Sequence, residues 1–443
     1  MKNILLLFSM FLFISFGLSA QTINLEQARV LALANSRSLA RYELSIRSSI
    51  LDEKNQLFSM LPSLSADYNA SMSYLKDWEF INPIDTFNTG VTLSVTQIIF
   101  QGGKSFLQKS INSIATESVR KDALAEYFRA LDELDSAYYA VLEAAATLEA
   151  EESSLQTTTY GLSVAEIRLA SGMINYGDYL KALADMEARE SSRNQARRNL
   201  NLNTAKLKTL TGITGTVELE QIDFRAYENA LQRLAAISDE EADALYEQLW
   251  KTIAASNPSL AKAAISNQRA EINLSMTKRD YAPTLSATVF STGLNYSVTD
   301  GFRTSSSGGI TLRGSIPLDF WVLNNRLEKS KIARDSAALD YIGAEISLET
   351  ELQTALLNAF AQAGSVLSSR RSLEYTEKHL EYVMERYRLS QSSVSDLSEA
   401  TSLFINSRNN QTKASYGFLQ SLSRIRSMGA LDDEAKLLEI LTR

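Results

Sequence analysis

Two copies of one sequence pattern make up most of this chain, and the duplication limits its possible folds more than any other feature. Residues 61–66 (LPSLSA) recur as 282–287 (APTLSA), and 35–40 (NSRSLA) recur as 257–261 (NPSLA). The offset stays between 217 and 222 for three later matches: 107–110 with 327–330; Arg168, Asp178 and Ala182 with Arg386, Asp396 and Ala400; and 207–210 with 425–428. Ordered matches at a steady offset indicate an internal repeat.

The repeat predicts the organisation of the chain. Residues 21–212 and 245–430 are expected to share one topology. Residues 213–244 have no counterpart and are rich in Asp and Glu, and 431–443 form a C-terminal tail. Residues 1–20 are predicted to be a secretory signal peptide, because Lys2 precedes an apolar run and Ser19 and Ala20 offer small residues for cleavage.

Within each half the hydrophobic pattern changes period. Residues 63–75 alternate apolar and polar side chains, and so do 91–96, 284–289 and 310–316. Each half is therefore predicted to hold a β-hairpin, at 63–101 and at 284–317, with strands of about 10 residues, the length of a tilted membrane-spanning strand. Aromatic residues at both strand ends are consistent with two membrane-interface girdles, or with soluble β-structure: Tyr74, Trp78, Phe80, Phe87, Tyr296 and Phe302; and Phe100, Tyr281, Phe320 and Trp321.

Long helices are predicted for the remainder. Residues 103–257 and 318–443 contain no proline and are rich in Ala, Leu, Glu, Lys and Arg. Leu131, Leu134, Tyr138 and Val141 step by three and four, which is typical of a coiled-coil seam. A helix over about 104–170 would be roughly 100 Å long. The fold class is thus mainly α, a duplicated long-helix coiled coil with four β-strands per chain.

Four strands are too few to close a β-barrel alone, since the smallest single-chain barrels use eight. An open sheet in lipid would leave unpaired backbone groups along its edges, each costing several kcal/mol. If the strands cross a membrane, the barrel must therefore be closed by several copies of the chain.

The chain resembles the TolC-like outer-membrane efflux protein family. The resemblance rests on the duplicated halves, on LPSL at 61–64 and APTL at 282–285, on QIIFQGG at 97–103, and on Arg168, Gly172, Asp178, Arg386 and Asp396. It implies a homotrimer whose β-barrel lies in the outer-membrane lipid and whose helices form an α-barrel across the periplasm. It also implies a periplasmic adaptor protein and an inner-membrane transporter as partners. Two departures stand out: Ser390 where the first half has Gly172, and LDFWVL at 318–323 where a glycine pair is usual.

The candidate functional residues lie where the long helices must reverse direction. Gly172 suits a helix C-cap, and the returning helices are predicted to be capped by Asp178 in the first half and by Ser395 and Asp396 in the second. Capping is one reading. The other adds a periplasmic gate and adaptor-docking site, in which a trimer gathers six carboxylates that attract cations. The predicted tip residues are Arg168, Gly172, Asp178, Arg386, Ser390 and Asp396, and the predicted strand–helix junction residues are Pro62, Gly102, Gly103 and Pro283.

Other chemistries find little support in the sequence. Gly102, Gly103, Lys104 and Ser105 end like a phosphate-binding loop, but Ile98 stands where that motif needs its first glycine. The chain has one histidine, His379, and no cysteine, so neither a thiolate metal site nor a lipid-modified N-terminal cysteine is expected. The net charge of −8 argues against a nucleic-acid partner. We predict no cofactor, no metal and no enzyme activity.

The predicted function is a passive trans-periplasmic export duct for a tripartite efflux pump or a type I secretion system. The alternative is a non-transporting structural coiled-coil protein of the cell envelope, which would need no oily strand face. A nutrient porin is disfavoured because porins lack long helices.

Overall fold

The computed structural model describes residues 21–73, 86–297, 301–303, 307–431 and 434–442. The predicted signal peptide and Tyr74, Trp78 and Phe80 lie outside these residues, and the side chains of Phe87, Tyr296 and Phe302 lie outside the description as well. The described residues divide into two compact units: those within 21–39, 125–257 and 349–442 form the first, and those within 40–124 and 258–348 form the second. Each unit draws on both predicted repeats.

The second unit contains an antiparallel sheet that joins the two predicted hairpins. Its strands are β2 (Ser63–Ser73), β3 (Thr86–Gln101), β5 (Thr284–Ser297) and β7 (Ser307–Ser315), in that order across the sheet, with the short β6 (Gly301–Arg303) beside the end of β5. Helices α2 (Arg37–Phe58) and α7 (Pro258–Lys278) precede β2 and β5. All four predicted strands are present, and β6 was not predicted.

The strand register sorts the side chains onto two faces. Directly opposed residues share a face, so the apolar face carries the row Leu64, Val95, Val289, Ile310. The hydroxyl face carries two rows of mainly hydroxyl side chains, Ser63, Thr96, Thr288, Thr311 and Asp67, Thr92, Thr292, Ser307. Hydroxyls bond across the strands there, for example Thr92 to Thr292 at 3.2 Å and Thr96 to Thr288 at 3.1 Å. The predicted alternation is therefore a real separation of faces.

The two long helices agree with the sequence prediction. Helix α3 (Lys104–Ala170) has 67 residues and α8 (Phe320–Arg388) has 69, and both run through proline-free sequence. Helices α4 (Tyr176–Thr211) and α9 (Val394–Met428) follow them. None of the helices within the described ranges combines the length and the apolar character that crossing a membrane requires.

The first unit also holds shorter elements, at the two ends of the chain and between its two halves. Strands β1 (Gln21–Ile23) and β4 (Val217–Leu219) pair in parallel, and helices α1 (Leu25–Asn35), α5 (Glu228–Ala235), α6 (Asp239–Ser256) and α10 (Glu434–Thr442) complete the unit. The side-chain amide of Asn35 donates to the Thr209 and Leu210 carbonyls, both at 3.1 Å, and that of Asn257 donates to the Met428 carbonyl at 2.9 Å. These equivalent asparagines satisfy the ends of α4 and α9 in the same way.

A buried acid joins four helices of the first unit. Asp135 on α3 is fully buried and accepts hydrogen bonds of 2.8 Å from Arg29 on α1 and from Ser423 and Arg426 on α9. Both arginines also lie within ion-pair distance of Glu434 on α10. A buried carboxylate needs such partners, because an unpaired charge in the protein interior is strongly destabilising.

Candidate functional site

The first predicted tip is a helix C-terminus closed by a Schellman motif. Gly172 has φ 74°, the Met173 N–H donates to the Arg168 carbonyl at 2.8 Å, and the Gly172 N–H donates to the Leu169 carbonyl at 3.0 Å. The two bonds satisfy carbonyls that the end of α3 would leave unpaired. The predicted role of Gly172 as the C-cap glycine therefore matches the observed turn.

The second tip has the same backbone without a glycine. Ser390 has φ 63°, the Gln391 N–H donates to the Arg386 carbonyl at 2.8 Å, and the Ser390 N–H donates to the Tyr387 carbonyl at 3.1 Å. The left-handed region costs a non-glycine residue roughly 1–2 kcal/mol. The departure at Ser390 thus leaves the shape of the turn unchanged and places strain in it.

The caps of the returning helices differ from the prediction. Asn175, not Asp178, caps α4: its side chain accepts from the Asp178 N–H at 2.9 Å. Ser393 caps α9 in a capping box, because the Ser393 N–H donates to the Asp396 carboxylate at 2.9 Å and the Asp396 N–H donates to the Ser393 hydroxyl at 3.1 Å. Both aspartates occupy the third helical position, where a carboxylate also interacts favourably with the helix dipole.

Hydrogen bonds hold the Asp396 carboxylate in its charged form. The pKa of Asp396 is lowered, first by the hydrogen bond from the Ser393 backbone, then by those from the Ser392 and Ser393 hydroxyls, and also by the charge of Arg386. The Ser392 hydroxyl donates to this carboxylate at 2.9 Å.

Arg168 connects the first turn to the second through hydrogen bonds. Its guanidinium lies 4.2 Å from the centre of the Tyr387 ring and donates to the carbonyls of Tyr387 and Ser392, the latter at 3.4 Å. The Tyr387 hydroxyl donates to the Gly161 carbonyl at 3.0 Å, and both Arg168 and Tyr387 are buried. Arg386, the equivalent of Arg168 in the second repeat, is exposed and donates to the Gln391 carbonyl of its own turn at 2.9 Å.

The surfaces of the two turns differ in polarity. The first turn exposes Met173 (68%), Tyr176 (63%) and Leu180 (44%). The second turn exposes one large apolar side chain, Leu389 (56%), and its other surface residues are polar: Ser390, Gln391, Ser392, Ser393, Ser395 and Asp396. An apolar core that includes Ala165, Ala182, Leu380, Val383 and Leu397 lies beneath them.

In the second unit, the predicted glycine pair forms a tight junction between β3 and α3. Gly102 and Gly103 have φ 65° and 74°, and the Arg279 guanidinium donates to their carbonyls at 3.2 and 3.1 Å. A Cβ on Gly102 would lie 2.7 Å from the Cβ of Ala282, so no larger residue fits there without movement. Lys104 pairs with Asp280 at 2.5 Å and is thus part of the junction.

The other junction residues lie where the strands begin and end. Pro62 and Pro283 directly precede β2 and β5. The second strand-to-helix junction, residues 316–319, contains no residue with positive φ, so α8 begins without the glycine geometry of the first junction.

Long antiparallel helices, a two-faced sheet and a duplicated topology define the fold of an outer-membrane channel. The chain belongs to the outer membrane efflux protein family, whose family model matches residues 28–213 and 249–429. It is 22% identical over 443 residues to the outer membrane protein TolC of Escherichia coli strain K12, covering 95% of this chain and 85% of that protein.

Solved channels have the same fold. The Campylobacter jejuni CmeC outer membrane channel superimposes with a TM-score of 0.74 at 15% identity, over 95% of this chain and 89% of that one. The Vibrio cholerae outer membrane protein VceC gives a TM-score of 0.71 at 15% identity, over 91% and 96%. The predicted family, fold class and outer-membrane location are therefore confirmed.

Proposed function

We propose that the chain is one subunit of a homotrimeric, passive export duct. The two faces of the sheet carry this proposal: the apolar face exposes Leu64 (77%), Ile310 (78%) and Leu312 (66%), while the opposite face carries mainly hydroxyls. Side chains of this kind suit lipid on one side and water on the other. Among the described strands, β2 and β7 each pair along one edge only, so both offer an edge to another copy.

In the trimer, twelve strands close a barrel in the outer membrane, and the long helices form a tunnel across the periplasm. The duct itself takes no cofactor, metal or catalytic residue, because the transporter at the inner membrane selects and drives the cargo. That transporter belongs to a tripartite efflux pump or a type I secretion system.

The two turns form the periplasmic end of this duct. The apolar first turn, with Met173, Tyr176 and Leu180, suits docking of a periplasmic adaptor. Asp178 and Asp396 place six carboxylates at the entrance of a trimer, where they attract cations. Replacing both with Asn should leave trimers intact and weaken the cation preference in planar bilayers. Unchanged ion selectivity would leave both aspartates with a structural role only.

The proposal that the apolar face of the sheet contacts lipid gives the decisive test of the duct. Ala70 and Asn69 are neighbours on β2, and their side chains point to opposite faces. Ala70→Arg should reduce the yield of inserted trimer, because an arginine against lipid costs about 2–4 kcal/mol near the midplane. The matched variant Asn69→Arg should insert normally.

The measurements are the membrane yield, the mass of the detergent-extracted protein by native mass spectrometry, and conductance in planar bilayers. Equal membrane yields for the two variants would contradict the assignment of the faces. A water-soluble monomer without conductance would favour the alternative, a structural envelope protein.

A further inference from the structure

The hydroxyl face contains one aromatic side chain among the strand residues whose side chains are described. Phe290 on β5 is directly opposite Ser94 of β3 and Gly309 of β7, within the row Ser65, Ser94, Phe290, Gly309. The rows on either side consist of serine and threonine with a single aspartate, Asp67. An apolar residue at position 290 does not fit the alternation of β5, because Phe290 lies on the hydroxyl face of the sheet.

The Phe290 ring is seated on the neighbouring strand. A Cβ built on Gly309 would lie 3.1 Å from Cζ and 3.2 Å from Cε1 of this ring, so the ring covers the backbone where any other residue would place a side chain. Phe290 remains half-buried, with part of its ring facing solvent. Because Gly309 has no side chain, the Phe290 ring can lie flat against β7 and form an apolar patch on the hydroxyl face.

From this placement we infer that Phe290 is a binding residue in the lumen, one per subunit, for the aromatic portion of cationic organic cargo. The inference rests on the proposed trimeric duct, in which the hydroxyl face lines the lumen. Three Phe290 rings then stand at one height on a face that carries mainly hydroxyls, with Asp67 in the next row and Ile98 and Arg313 two rows away on the other side. The face of an aromatic ring attracts other rings and organic cations, and the surrounding hydroxyls can solvate the polar part of the same molecule.

The prediction is testable with two blocking ions in single-channel recordings. Tetraphenylphosphonium and tetrabutylphosphonium carry the same charge, but only the first has aromatic rings. Phe290→Thr should shorten the dwell time of tetraphenylphosphonium roughly two- to tenfold, the range expected for the loss of one aromatic contact. The dwell time of tetrabutylphosphonium should stay unchanged.

Three further variants separate binding from folding. Phe290→Leu keeps an apolar cover over Gly309 but removes the ring, and should shorten the dwell time as Phe290→Thr does. Phe290→Trp should retain at least the wild-type dwell time. Tyr68→Thr removes an aromatic ring from the apolar face, opposite Val91, and should have no effect on blocking.

The outcomes distinguish this inference from the proposed function. A wild-type protein that inserts as a trimer and conducts, but whose block by tetraphenylphosphonium is absent or insensitive to Phe290→Thr and Phe290→Leu, would overturn the role of Phe290 and leave the duct intact. A wild-type protein that does not conduct would overturn the duct and this inference with it.

Discussion

The two turns of the first unit have the same backbone but are stabilised in different ways. The first uses a glycine in the left-handed region and a neutral cap, Asn175, beneath an apolar surface. The second uses a strained serine and a capping box that depends on the charged Asp396. The two turns share the Schellman hydrogen bonds, an arginine at the end of the first helix and an aspartate in the first turn of the second, but differ in the residue at the left-handed position and in the N-cap. Each turn could therefore acquire its own surface and its own sensitivity to substitution.

The largest difference is expected between the equivalent arginines. Arg168→Ala would leave the Tyr387 carbonyl without its charged donor and remove the guanidinium from the buried ring, so local opening should become easier by about 3 kcal/mol. Arg386→Ala, at an exposed site, should change it by no more than about 0.5 kcal/mol. Hydrogen exchange at the Met173 and Gln391 amides measures both. Similar effects of the two variants would show that Arg168 does not join the turns.

Exchanging the residues in the left-handed region should give smaller effects of opposite sign. Gly172→Ser introduces strain and should destabilise the first turn by about 1 kcal/mol, while Ser390→Gly relieves strain. The gain from Ser390→Gly should stay below about 1 kcal/mol, because glycine also adds conformational freedom to the unfolded chain. The same two amides report the result. If Ser390→Gly destabilised the turn, the serine side chain would have to stabilise it by more free energy than its left-handed backbone conformation costs.

Much of the fold could be predicted from the sequence because its signals are local. Alternation at 63–75 predicted β2 and its two faces, the absence of proline over 103–257 predicted long helices there, and Gly172 predicted where the first of them ends. The caps were predicted wrongly, because several polar residues compete within each turn. Asp178 lies only three residues after Asn175. The backbone N–H of Asp178 donates to the Asn175 side chain, so Asn175 is the cap and Asp178 lies inside the helix.

Other features depend on contacts that no local pattern contains. Arg168 and Tyr387 are 219 residues apart, and their pairing follows from the packing of α3 against α8. Phe290 could have been noticed as a break in the alternation of β5, but its seat on Gly309 requires the strand register.

The smallest expected effect is a difference in acid sensitivity between the turns. Because the pKa of Asp396 is lower in the folded protein than in the unfolded chain, the ionised carboxylate stabilises the second turn above the unfolded pKa, about 4. That contribution is lost as the pH falls through the folded pKa. The first turn has no such dependence through its cap, because Asn175 does not titrate. Spin labels on single cysteines measure this difference. The chain has no cysteine of its own, so one label can be placed at Gln391→Cys in one variant and at Met173→Cys in another. As the pH falls below about 4, mobility should rise at position 391 before it rises at 173. Asp396→Asn should remove most of that pH dependence, whereas Asp178→Asn should leave it in place. Equal acid responses at the two labels would show that the capping box adds nothing that the neutral cap lacks.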